Sequence, residues 1–117
     1  MSRIEGGALI VDAYKSGTNW YRLYSDNWCE QGGHTRALNW TVEGDSESFT
    51  LLIPLIDTLG TVTATLGEHN ANWNAPGAMA WMPNSRQLIV GIATYGGAVP
   101  QQGQAAVRWS VTNYASL

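Results

Sequence analysis

One-by-one alternation of apolar and polar residues is the clearest pattern in the chain, and it predicts β-strands. Between Thr61 and Leu66 every second residue is apolar, and the residues between them are threonines. The same period returns near the C-terminus, where Val107, Trp109 and Val111 alternate with polar side chains. A period of two is typical of an antiparallel strand with one buried and one exposed face.

Several other short segments also favour strands, and no window has the periodicity of an amphipathic helix. Turn-forming residues separate the segments, and about eight or nine strands are expected in all. We therefore predict an all-β domain, an antiparallel β-sandwich or jelly-roll-like fold. Residues 1–7 are expected to be a flexible start or the remnant of a longer chain, and residues 8–117 a single domain. The predicted strands are 8–15, 19–25, 28–31, 35–42, 49–56, 61–66, 78–82, 86–95 and one around 107–112.

The most apolar segment is 49–56, and its pattern predicts a contact with another chain. As a strand it would place Leu51 on one face and Leu52 on the other, with apolar neighbours on both. Pro54 cannot donate a ladder hydrogen bond, which indicates an edge or a bulge. An edge strand that is apolar on both faces is expected to be covered by a partner chain.

Composition and charge exclude several classes of function. Only 13% of the residues are charged, the net charge is −3, and the six cations are scattered singly. The sequence has no basic patch that would predict nucleic-acid binding. It also has no apolar run that would predict membrane insertion or a signal peptide. Synthesis in the cytoplasm is expected. Cys29 has no second cysteine to pair with and is predicted to be a small packed residue.

No arrangement of residues predicts catalysis, a metal or a cofactor. Asp26 and Glu30 are paired acids, but Asp26 suits a turn and Glu30 suits a partner for Arg22 across a hairpin. The acidic segment 43–47 is expected to be a solvated loop, because it lacks the pattern of a calcium loop. His34 would hold a metal only if copies met on a symmetry axis, and a single polar or packed histidine is favoured.

The segment 20–33 predicts a hairpin, and it also carries a resemblance to a known family. Its sequence is Trp-Tyr-Arg-Leu-Tyr-Ser-Asp-Asn-Trp-Cys-Glu-Gln-Gly-Gly, with a two-residue turn expected at 26–27 and a break at 32–33. It resembles the signature Trp-Tyr-Arg-x-Tyr-Ser-Asp-Gly-Trp-x-Glu-Gln-Gly-Gly of the C-terminal head regions of bacteriophage and prophage tail fibres. Asn27 stands where those proteins usually have Gly, a mild change because Asn tolerates positive φ. The resemblance ends at Gly33.

This resemblance implies a receptor-binding head that attaches a virion to a bacterial surface polysaccharide or outer-membrane protein. It also implies a homotrimer, contacts with other phage tail proteins, and a place in the virion tail after synthesis in the host cytoplasm. Two alternatives remain open. One is a structural tail domain for trimerisation, a collar or capping, and the other is a free-standing carbohydrate-binding, lectin-like module.

The tryptophans suggest where a ligand would bind. The chain has six, of which Trp20, Trp28, Trp40 and Trp109 are expected to be core or subunit contacts. Trp73 instead lies among amides in the polar loop 67–77, and a flat ring flanked by amides suits a sugar. A Trp that pins the loop to the core is the plainer interpretation. With a second loop at 96–104, the predicted ligand-binding residues are His69, Asn70, Asn72, Trp73, Asn74, Gln101 and Gln102.

Overall fold

The computed structural model describes residues 8–40, 45–69, 77–93 and 103–117, and in this part of the chain it is all-β. Two antiparallel sheets form a sandwich-like domain, which confirms the predicted fold class. No helix among the described residues has the length and apolar character needed to cross a bilayer. The nine strands are β1 (Ile10–Ser16), β2 (Asn19–Tyr24), β3 (Trp28–His34), β4 (Leu38–Trp40), β5 (Asp45–Thr50), β6 (Thr61–His69), β7 (Gly77–Asn84), β8 (Gln87–Ala93) and β9 (Gly103–Tyr114).

The larger sheet is built around β9. Strand β6 pairs along one edge of β9, while β3 and then β4 pair with successive parts of the other edge. Strands β2 and β1 extend the sheet beyond β3, so β1 is an outer strand at one edge of the sheet. Thr35 bridges the gap between β3 and β4, because its hydroxyl accepts the Val107 N–H at 3.0 Å. The long C-terminal strand therefore organises the sheet.

The smaller sheet has the order β5-β8-β7 and packs against the larger one. The inward side chains of β8 and β9 meet in the core, where Phe49 and Trp109 lie with ring centroids 5.2 Å apart. Leu88, Val90, Val107 and Val111 are fully buried between the sheets. The alternation in β9 is therefore explained by one face in the core and one outside it.

The prediction of a strand over 49–56 is wrong beyond Thr50, where β5 ends. Residues 51–60 form an irregular segment that folds across one end of the sandwich. Its backbone is held by the Leu51 and Leu55 N–H groups, which donate to the carbonyls of Arg86 and Ser85. Both leucines are buried in this chain's own core, and Ile56 is exposed. The apolar residues are explained largely by this local burial, so they give no direct argument for a partner chain.

Candidate functional site

Most of the predicted ligand-binding residues lie outside the described part of the chain. This holds for Asn70, Asn72, Trp73, Asn74, Gln101 and Gln102. His69 was expected in a loop, but its backbone belongs to β6 and pairs with Ala105. The strand is longer than predicted because its polar end still finds hydrogen-bond partners on β9. Sugar binding by the 67–77 and 96–104 loops stays a prediction.

The signature segment 20–33 forms the β2–β3 hairpin, as predicted, but its turn is one residue longer. Ser25, Asp26 and Asn27 connect the strands, and Asn27 N–H donates to the Tyr24 carbonyl at 2.9 Å. Asn27 has a φ of 69°, a left-handed conformation that favours Gly and, after it, Asn. Asp26 Oδ1 accepts the Trp28 N–H at 3.1 Å, which confirms its role as a turn residue.

The inward side chains of this hairpin complete the core and hold the irregular segment. Cys29 is fully buried, as expected for a packed residue, and burial raises the pKa of its thiol to about 11. Gln31 is 1% exposed and makes two bonds to one residue of the segment. Its Nε2 donates to the Ile53 carbonyl at 2.7 Å, and its Oε1 accepts the Ile53 N–H at 3.1 Å. The Gln31 side-chain amide therefore bonds the backbone of Ile53 as a neighbouring strand would.

The two glycines at the end of the signature do not break the strand, contrary to the prediction. Gly32 and Gly33 lie within β3 and pair with β9. A Cβ on Gly32 would lie 2.6 Å from the Trp20 ring, and one on Gly33 would lie 2.6 Å from Asn19 Oδ1. These glycines give room for neighbouring side chains on the two faces of the sheet.

The outward side chains of the hairpin form a band of aromatic and charged groups. Trp20 lies over Gly32, with the Arg22 guanidinium carbon 5.0 Å from its ring centroid. Trp28 meets the Tyr114 ring edge to face at 5.2 Å. Neither tryptophan is in the core: both are half-buried on the outer face. Trp109 does pack in the core as expected, and the side chain of Trp40 lies outside the described part.

Glu30 lies opposite Arg22 in the β2–β3 register, as the sequence predicted. Its Oε1 accepts the Tyr24 hydroxyl at 2.9 Å, so it has a structural contact on this face. His34 is exposed at the end of β3 and its Nδ1 lies 2.9 Å from the Thr35 carbonyl. In the described ranges no three His, Cys, Asp or Glu side chains are grouped as metal ligands would be.

A shallow depression of about 460 Å³ lies on the β1–β2 hairpin. It is lined by Ala13, Tyr14, Lys15, Trp20, Tyr21 and Arg22. The sequence pattern did not reveal this depression, because Lys15 and Arg22 stand apart along the chain and were interpreted as scattered cations. The pairing of these residues could have been derived from the sequence, since a turn at 17–18 places Lys15 opposite Trp20.

Exposed apolar side chains gather at the end of the larger sheet that carries the β2–β3 turn. Backbone hydrogen bonds bring the segments together there: Ser25 N–H donates to the Leu9 carbonyl, and Ile56 N–H to that of Tyr114. Strand β1 is exposed along its whole length. We name as the turn-end patch Leu9, Ile10, Ile56, Leu59, Tyr114 and Leu117.

The acidic segment is not a solvated loop from residue 45 onward, because β5 begins there. Asp45 accepts the backbone N–H groups of Asn39 and Ser46 at 2.9 Å and contacts the Arg36 guanidinium at 3.3 Å. Glu47 Oε1 accepts the Arg36 N–H at 2.9 Å. The Asn39 N–H is the main cause that lowers the pKa of Asp45, with Arg36 and Ser46 acting in the same direction. Residues 43 and 44 lie outside the described part.

We expect Asp45→Asn to reduce the free energy of unfolding by about 1 kcal/mol at neutral pH, because hydrogen bonds to a charged acceptor are lost. A lowered folded-state pKa stabilises the fold above the unfolded-state pKa, and this contribution is lost as the pH falls through the folded-state value. Urea unfolding from pH 7 to pH 2 should therefore show the two proteins converging in acid. A difference in unfolding free energy between the two proteins that does not change with pH would contradict the role of the Asp45 charge.

Comparisons of this chain with family models, with curated proteins and with solved structures found no match.

Proposed function

We propose that this domain is a non-catalytic, receptor-binding head of a bacteriophage tail fibre. It attaches the virion to a polysaccharide or an outer-membrane protein on a bacterial surface. It acts as a homotrimer and contacts other tail proteins. Several copies on one particle would make weak individual binding sufficient for attachment.

The observation that carries the proposal is the division of roles within the signature 20–33. Gln31 points inward and holds Ile53, Asn27 takes the left-handed turn conformation at the position where the signature has Gly, and Gly32 gives space to Trp20. A set of residues with such interdependent contacts supports a shared hairpin structure more strongly than a shared composition would. The resemblance to tail-fibre heads therefore rests on residues that specify one local structure.

The turn-end patch supports assembly. Leu59 is 86% exposed, and Leu9 and Leu117 are 61% and 74% exposed. Apolar side chains gathered at one end of a domain favour contact with another protein surface. The outer strand β1 adds an edge with unpaired backbone groups, and such edges pair with further chains unless they are covered.

The first test is the mass of the 117-residue chain in solution, measured by light scattering behind a sizing column. A trimer is expected at three times 12.7 kDa. Replacement of Leu59 and Leu117 by Ser should weaken it, while Met79→Ser on the smaller sheet is the matched control. A monomer at micromolar concentration would contradict the homotrimer.

Attachment is tested by adding the fluorescently labelled domain to a panel of bacterial strains. We expect binding to some strains and its loss in Trp73→Ala, with Trp81→Ala as the control because Trp81 lies exposed on β7. Binding that Trp73→Ala leaves intact would remove the 67–77 loop as the site. A trimer that binds no strain but captures purified tail proteins would favour the structural tail domain instead.

A further inference from the structure

We propose that one face of the β1–β2 hairpin binds a neutral sugar of the bacterial surface, which stacks on Tyr14 and bonds to the Asp12 carboxylate. This inference rests on the proposed receptor-binding function, for which it names the ligand chemistry and a surface outside the predicted loops. The face continues the core-facing side of the larger sheet beyond the core, and we name it the tyrosine face. Its side chains are Asp12, Tyr14, Ser16, Asn19, Tyr21 and Leu23.

The strand register places these side chains on one side of the hairpin. Tyr14 pairs with Tyr21, and Asp12, two residues earlier, pairs with Leu23. Leu23 lies opposite Cys29, which is buried in the core, so this side of the hairpin is the core-facing side. Two contacts agree with the register. The Tyr21 hydroxyl donates to Asp12 Oδ2 at 2.6 Å, and the Tyr14 and Tyr21 ring centroids are 5.9 Å apart.

The tyrosine face is open although it continues the core-facing side of the sheet. Among the described strands, β1 packs extensively only against β2, so the smaller sheet does not extend over it. Tyr14 is 53% exposed, and Asp12 is exposed beside it. Tyr21 and Leu23 are half-buried, because they pack against the edge of the core. The face therefore combines a fixed base with an aromatic ring that a ligand can reach.

Asp12 is held in position as a hydrogen-bond acceptor. An ionised carboxylate accepts several hydrogen bonds, so after the bond from Tyr21 it can still accept from the hydroxyls of a sugar. The bond with Asp12 is also the main cause that raises the pKa of Tyr21, so the Tyr21 hydroxyl stays protonated and donates at neutral pH. Hydrogen bonds to a charged acceptor are stronger than those between neutral groups.

Tyr14 supplies the apolar surface that a pyranose ring needs. Its ring is tilted by 39° to that of Tyr21, so the two rings form an angled aromatic surface next to the carboxylate. The C–H groups of a pyranose pack on an aromatic face, while its hydroxyls pair with polar groups at the margin. Ser16 and Asn19 continue the polar margin on the side away from Asp12. From residue 12 to residue 16 a strand rises roughly 13 Å, which is long enough for a short oligosaccharide.

The charges on the hairpin favour a neutral sugar. Asp12 is the charged side chain of the tyrosine face, while Lys15 and Arg22 project from the other side of the strands. An acidic sugar would bring a second negative charge towards Asp12, with no cation on this face to offset the repulsion. The net charge of −3 acts in the same direction.

The test uses the methyl glycosides of glucose, galactose and mannose, each compared with the methyl glycoside of the corresponding uronic acid. Binding to the whole chain is followed by NMR through the Tyr14 ring and the Asp12 carboxylate, with the Trp20 indole as the reference for the other face. We expect at least one neutral glycoside to shift the first two signals at millimolar concentration, and its uronic acid to bind at least about threefold more weakly. No shift with any neutral glycoside, or equal binding of the acid, would overturn the inference.

Tyr14→Ala and Asp12→Asn should each weaken binding of the neutral glycoside by roughly tenfold, because one removes the stacking surface and the other the charged acceptor. Lys15→Gln is the matched control, since Lys15 lies on the same strand but on the other face, and it should leave binding unchanged. An unchanged midpoint of urea unfolding shows that each variant is folded. Binding that Tyr14→Ala and Asp12→Asn leave intact would overturn the inference.

Tyr21→Phe tests the positioning of Asp12, because it keeps the ring and removes the hydroxyl that donates to the carboxylate. We expect binding to weaken by about threefold, and the Asp12 carboxylate signal of the sugar-free protein to shift. An unchanged Asp12 signal together with unchanged binding would show that Tyr21 does not position the carboxylate.

Cell attachment separates this inference from the proposed function. If a neutral glycoside binds and Tyr14→Ala abolishes attachment, both hold. If the glycoside binds but no strain is bound, the site is correct and the receptor-binding function is wrong. If strains are bound but no glycoside is, or if Tyr14→Ala leaves attachment intact, the inference fails alone. Dissociation of the oligomer by Tyr14→Ala would show that a second copy covers the tyrosine face, and this result would also overturn it.

Discussion

Gln31→Leu is expected to reduce the free energy of unfolding by roughly 2–3 kcal/mol, because two partly buried backbone groups lose their partners. Leucine fills a similar volume and would be compatible with the core around Cys29. It cannot, however, bond the N–H and carbonyl of Ile53, which the Gln31 amide holds at 3.1 and 2.7 Å. The segment 51–60 would lose its attachment to β3, and urea unfolding gives the change directly.

The control for this substitution is Gln87→Leu, the same chemical change at an exposed position of β8. Its effect should stay within about 0.5 kcal/mol. Hydrogen exchange adds a local measurement, since the Ile53 amide should exchange much faster in Gln31→Leu. Equal unfolding free energies for the two leucine variants would show that the Gln31–Ile53 pair contributes little.

Gly60→Ala is expected to cost about 2–4 kcal/mol through a backbone clash. A Cβ at this position would lie 2.5 Å from the Thr112 carbonyl oxygen and 2.8 Å from the Asn113 Cβ. The Thr112 backbone has little freedom to move, because it is paired with Glu30 on one side and Thr61 on the other. Thermal unfolding measures the loss as a lower Tm.

Gly77→Ala is the matched control, because no described atom lies within 4 Å of a Cβ there. Gly77 is an exposed residue of β7, and an alanine should leave Tm unchanged or slightly raised. The close approach of Gly60 to β9 would be contradicted if Gly60→Ala lowered Tm no more than Gly77→Ala.

Local sequence patterns predicted the structure correctly where that structure depends on the residues of one short segment. Alternation over 61–66 predicted β6 because a period of two separates core-facing from exposed residues in any strand. The hairpin at 20–33 was predicted from Asp26 and Asn27, since few residues accept a left-handed φ. The buried Cys29 followed from its small apolar side chain within a strand.

Local patterns gave wrong predictions where a contact with another segment determines the structural role of a residue. Gly32 and Gly33 looked like a break but lie within β3. They are glycines because Trp20 and Asn19 occupy the space that a Cβ would need. Asp45 looked like part of a solvated loop, but its carboxylate accepts the N–H group of Asn39. None of these contacts is visible from neighbouring residues alone.

The sequence by itself determined that this protein is an antiparallel β-domain with a hairpin at 20–33, since strand period and turn conformation are properties of short segments. Only the tertiary structure decided that 51–60 folds inward, with Leu55 buried and its backbone held from β3 and the β7–β8 turn. It also decided that Lys15 and Arg22 share one face beside Trp20. The physical reason is that irregular backbone must find distant hydrogen-bond partners, and that a shared face depends on register between strands.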